Sequence, residues 1–113
     1  MQELSRDVEA EIVLLPTEHG GRASAARSDY RPQFYYDGQD HDASHTYPDV
    51  ERVLPGQSAR VFLAFLHPET HIGKLHPGMP FLIREGQKVL GYGTVTRVVD
   101  LEASAERYRQ VAS

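Results

Sequence analysis

The chain has 113 residues, no cysteine and a formal net charge of −4, with 40% hydrophobic and 25% charged residues. That length suits one domain with a single core, and the lack of cysteine excludes disulfides, thiolate metal sites and cysteine nucleophiles. No apolar run approaches the roughly 20 residues that span a membrane, the N-terminus lacks a signal-peptide pattern, and basic residues are scattered singly, without the footprint of non-specific nucleic-acid binding; a cytoplasmic protein with no membrane and no DNA partner is expected.

In chain order, Val8 to Leu15 predicts a first strand with Val8, Ala10, Ile12 and Leu14 on its core face. Pro16 ends it, and Gly20-Gly21 opens a long loop to Asp29. Tyr30 to Tyr36 is an aromatic strand, with Pro32 confined to its start or to an edge; base stacking and core packing both suit its rings, and burial preferences favour packing. Asp37 to Asp49 is polar and reads as a loop. Val50 to Leu54 reads as a short strand closed by Pro55-Gly56. Gln57 to Leu66 is a long strand, apolar on both faces near its end, which predicts cover on both sides there. His67 to Pro80 is a second long loop. Phe81 to Arg84, the turn Glu85-Gly86-Gln87 and Lys88 to Val99 form a hairpin. In its second strand Val89, Gly91, Gly93, Val95, Arg97 and Val99 share one face. Glycines two apart on one face suit a barrel corner, or the close approach of another backbone or a ligand. The tail changes period: Leu101, Ala105, Tyr108 and Ala112 form a helical stripe that predicts packing through Leu101 and Tyr108. Six strand-like runs and one terminal helix predict an all-β fold, a small closed six-stranded antiparallel β-barrel with a short C-terminal helix. One domain over 1–113 is expected, with the barrel at 8–99 and the helical tail at 100–113.

Gly20-Gly21-Arg22, Tyr30-Arg31-Pro32-Gln33-Phe34-Tyr35, Val50-Glu51-Arg52-Val53-Leu54-Pro55-Gly56, His67-Pro68, Phe81-Leu82-Ile83-Arg84-Glu85-Gly86 and Gly91-Tyr92-Gly93-Thr94-Val95-Thr96 occur in one order. This series resembles the third, C-terminal domain of bacterial elongation factor Tu, from about Val8 to Val99. The resemblance implies the six-stranded barrel. It also implies contact with the T-stem of tRNA, an A-form surface read through phosphates and 2′-hydroxyls rather than base edges. By position, the implied RNA contacts are Ser24, His67, Glu85 and Gly86; the basic residues Arg22, Arg27 and Lys88 would support them if folding brings them together. Two departures stand out. The family's His-Thr-x-Phe-Phe is replaced by Ala23-Ser24-Ala25-Ala26-Arg27, and the loop after Pro68 is about four residues longer than the family's, as loops accommodate insertions. No Gly-x-x-x-x-Gly-Lys-Ser/Thr phosphate loop is present. Met1 lies only a few residues before the first strand, so a stand-alone version of the domain is expected.

Other chemistry is poorly supported. His41 and His45, and His67 and His71, are four apart, but both pairs fall in polar loops without a helical pattern, so no metal site is expected. No serine sits in a nucleophile elbow, and no carboxylate pair can be placed across a cleft. The expectation is a non-enzymatic module without cofactor, acting near translation with tRNA as partner. The alternative is a protein-interaction module that mimics the third domain and engages a translation factor or regulatory protein.

Overall fold

A hairpin over residues 80–98 closes the barrel. In the computed structural model, which describes residues 6–112, β1 (Val8–Leu14), β3 (Gln33–Tyr36), β4 (Gln39–Thr46), β6 (Ser58–Phe65), β7 (Pro80–Glu85) and β8 (Lys88–Val98) pair antiparallel in the closed order β1-β6-β4-β3-β7-β8. The two remaining strands, β2 (Ala26–Arg27) and β5 (Arg52–Val53), form a separate two-stranded ribbon. α1 spans Leu101–Ala112, and two single-turn 3-10 helices cover Thr17–His19 and Pro68–His71. No helix among the described residues is long and apolar enough to cross a membrane.

The glycines of β8 explain the closure. A Cβ on Gly91 would lie 2.6 Å from the Val13 carbonyl oxygen. One on Gly93 would lie 2.5 Å from the tip of the Phe81 ring and 2.8 Å from the Glu11 carbonyl oxygen. The missing side chains let β1 approach β8 and leave room for Phe81 inside. Phe81 stacks on Phe34 at 4.2 Å between centroids, and Phe65 meets Phe34 edge-on at 5.1 Å. With Val8, Ala10, Ile12, Leu63, Ile83 and Val95 these rings form the core.

Two register shifts limit the alternation read along β8. One, where Ile83 pairs with Gly91 but Arg84 with Val89, buries Leu90 and turns Val89 outward. The other, where Glu9 pairs with Arg97 but Ala10 with Val95, leaves Arg97 in solvent although unbroken alternation would put it inside with Val95. Each is a bulge, and an extra residue reverses the inside–outside parity beyond it.

Two expected elements are corrected. Residues 37–49, read as a loop, contain β4. Its polar side chains find partners: Gln33 Nε2 donates to Asp42 Oδ1 at 2.5 Å, Arg31 Nε donates to Ser44 Oγ at 3.1 Å, and the buried His45 ring meets the Tyr47 hydroxyl at 2.9 Å. Satisfied polar groups can occupy a barrel wall without the cost of unmet burial. Asp37 and Gly38 at φ 51° and 76° make the two-residue turn that joins β3 to β4. The strand expected over residues 50–54 shrinks to β5 and pairs only with β2, outside the barrel. The aromatic strand starts at Gln33, after Pro32. The end of β6 is covered unevenly: Phe62 is buried beneath the Arg6 and Arg60 guanidiniums, at 4.7 and 5.5 Å, while Leu66 is 51% exposed.

α1 packs through Leu101 and Ala105, both buried, and through half-buried Tyr108. The buried Ser104 hydroxyl donates to Asp7 Oδ1, and Asp7 Oδ2 accepts from the Phe65 N–H at 2.8 Å. One carboxylate thus ties α1 to the end of β6.

Candidate nucleic-acid interface

The Gly-Gly-Arg loop is shaped by its backbone. Gly20 ends the first 3-10 turn at φ 91°, and a Cβ on Gly21 would collide with the Leu15 carbonyl oxygen. Only glycine lets the loop fold back this tightly. The fold-back brings Arg22 to the β7–β8 turn. Arg22 Nη1 donates to Glu85 Oε2 at 3.3 Å, and its Nε donates to the Ser24 carbonyl at 3.2 Å. Its guanidinium lies 4.2 Å from the centroid of the Tyr30 ring. Tyr30 completes the arrangement by donating its hydroxyl to the same Glu85 oxygen at 2.7 Å. Burial, helped by that bond to a carboxylate, pushes the Tyr30 hydroxyl up to about 12, so it stays a donor at neutral pH.

Gly21, Arg22, Ser24, Glu85, Lys88 and Leu90 line one open cleft of about 350 Å³. Gly86 forms the adjacent turn at φ 59°, with open space where a Cβ would stand. The cleft therefore presents two cations, a hydroxyl, a carboxylate and an accessible backbone turn. Glu85 Oε2 is occupied by Tyr30 and Arg22, so this carboxylate orients a cation as well as offering its other oxygen.

Two expected residues lie elsewhere. Arg27 sits on the β2–β5 ribbon and pairs with Glu51 at 3.1 Å. His67 follows β6 beyond the Val8 end of β1, whereas the β7–β8 turn lies by the Leu14 end. The His67 ring meets the Tyr108 hydroxyl at 3.2 Å and shares a smaller cleft with Asp40, His41, Asp42 and His71. In that cleft His71 is buried against Phe65 and bonded to the Tyr36 hydroxyl at 2.7 Å, and burial lowers its pKa to about 4. His41 is lowered by the same cause. Among the described residues, no group of three or more His, Cys, Asp or Glu is arranged to hold a metal ion.

Sequence reasoning missed Tyr30 as an organiser of the cleft. Its position directly before Arg31-Pro32 was visible, but nothing in the pattern linked it to a turn 55 residues away. The family model described as the elongation factor Tu C-terminal domain matches residues 3–99. With a closed six-stranded barrel and a match over most of its length, the chain belongs to the elongation factor Tu C-terminal domain family.

Proposed function

We propose that this chain is a non-catalytic RNA-binding module that acts near translation in the cytoplasm, contacting the T-stem of tRNA without GTPase activity of its own. The observation that carries this reading is the convergence of Arg22, Ser24, Glu85 and Lys88 on one cleft beside the Gly86 turn. In this reading Arg22 and Lys88 meet phosphates, the Ser24 hydroxyl and the remaining Glu85 oxygen meet 2′-hydroxyls, and Gly86 admits the RNA backbone. Such contacts suit A-form RNA, where the shallow groove displays sugars and phosphates. His67 would be a separate, outlying contact. With a net charge of −4, binding would be weak and strongly salt-dependent. A mobility-shift titration with aminoacylated and deacylated tRNA at two salt concentrations tests it. A shift at low salt that weakens at high salt supports the reading, and no shift at low salt contradicts it.

One observation favours a second reading. On the outer wall of β3, β7 and β8, Tyr35, Pro80, Leu82 and Tyr92 line a mainly apolar groove of about 400 Å³. Tyr92 is 49% exposed, and an exposed apolar groove of this kind suits a protein partner. Pull-down from lysate before and after nuclease treatment separates the two readings: capture that survives nuclease points to a translation factor or regulatory protein, and capture lost with RNA points to the cleft.

A further inference from the structure

α1 stands off the outer wall of β4 and β6, and the two bound a cleft of about 300 Å³. Its helical wall lies beyond the residues matched to the family, so the barrel alone does not make this cleft. Ala64, Leu66 and Pro68 supply an apolar floor, and the backbone of Phe65, whose N–H donates to Asp7, runs between them. A guanidinium stands on each wall, and each is held by a buried serine. Arg31 Nε donates to Ser44 Oγ at 3.1 Å, and Arg107 Nη2 donates to Ser104 Oγ at 3.1 Å. Ser44 and Ser104 are 6% and 5% exposed.

We propose that this cleft binds a small organic carboxylate, with its acid group on the Arg31 guanidinium and its apolar body on the floor formed by Ala64, Leu66 and Pro68. Arg31 is placed for the task. Among the described residues its Nη atoms have no hydrogen-bond partner, and no carboxylate lies within ion-pair distance, although Asp42 lines the same cleft. Asp42 is turned to Gln33 instead. Asp7, at the foot of α1, has both oxygens occupied by Ser104 and Phe65, and burial raises its pKa, which weakens the charge an anion would meet. A planar guanidinium whose Nη donors are unpaired suits a carboxylate bidentately. The volume sits at the lower end of small-molecule sites, room for a body of roughly a dozen heavy atoms. The cleft shares no residue with the Arg22–Glu85 cleft, so this inference stands or falls independently of RNA binding.

The test is a titration of the full chain with 3-phenylpropionate followed by amide NMR. The expected result is saturable shifts at Ser44, Phe65, Leu66 and Ser104, with affinity in the low millimolar range, as a fragment of about eleven heavy atoms reaches. Neutral 3-phenylpropanamide and the Arg31→Gln variant should each bind on the order of tenfold more weakly, since each removes a charge-assisted pair. Ala64→Phe, which adds bulk to the floor rather than to the core, should abolish the shifts. The proposal is overturned if acid and amide bind alike, if Arg31→Gln binds like the parent, if inorganic phosphate binds as tightly as the acid, or if no saturation appears by about 20 mM.

Discussion

Tyr30 shows how much one hydroxyl can organise. It holds Glu85 in place while its ring supports Arg22, so Tyr30→Phe should leave the barrel folded but loosen the loop. The expected cost is about 1 kcal/mol, the usual net value of such a hydrogen bond, read as a shift in the urea unfolding midpoint. Burial raises both Tyr30, to about 12, and Tyr47, further still, so ultraviolet titration of the parent protein should show at least two late-ionising tyrosines, and Tyr30→Phe should remove one of them and leave the other. Gly93 tests the opposite limit. Gly93→Ala would press a methyl into the Phe81 ring and the β1 backbone, an overpacking that costs about 1–3 kcal/mol, again measured by denaturant unfolding. His45 and His71 set the acid limit. Burial lowers them to about 3 and about 4, below the unfolded value of roughly 6.5. The unfolded chain therefore takes up protons first as pH falls. Stability from these two groups is fully present above about pH 6.5 and is lost as pH falls toward 4. Thermal melts at pH 7 and pH 5 should show the lower midpoint at pH 5, and His45→Gln should narrow the gap.

At the scale of elements, α1 is more than a tail. Leu101→Ala should cost about 2 kcal/mol, the low end for emptying a buried leucine site, while far-ultraviolet circular dichroism keeps its β signature. β4 marks what could and could not be read beforehand. Its eight residues hold one buried hydrocarbon side chain, Ala43, among polar groups, so hydrophobic alternation was silent there. The Asp37-Gly38 pair between Tyr36 and Gln39 was nonetheless a two-residue hairpin signal, legible from chemistry rather than pattern. Val50 to Leu54 erred the other way: its apolar character looked like a barrel strand, but it serves a surface ribbon with Val50 and Leu54 exposed. Six strands were therefore expected for a partly wrong set of six. The glycines of β8 were legible because a missing Cβ has few uses in a strand. Arg22, Ser24, Glu85 and Lys88 were nameable from the sequence, but that they share one cleft while Arg27 and His67 lie elsewhere was not; nor was the role of Tyr30, because a contact between distant segments leaves no periodic trace.

At the scale of the whole molecule, the charge balance decides how the cleft would work. An acidic chain with two cations at one cleft cannot rely on a broad basic face, so RNA contact would be local and shape-dependent. Arg22→Ala should therefore weaken tRNA binding at every salt concentration and flatten its salt dependence by about one counterion, the contribution of one phosphate contact. Arg27→Ala, on the ribbon and paired with Glu51, should change it little. The most direct measurement is amide NMR of the full chain titrated with a T-stem RNA hairpin at low salt. Shifts confined to residues 21–25 and 85–88 are the predicted result. Shifts centred on Tyr35, Leu82 and Tyr92, or none at all, would contradict RNA binding at this cleft.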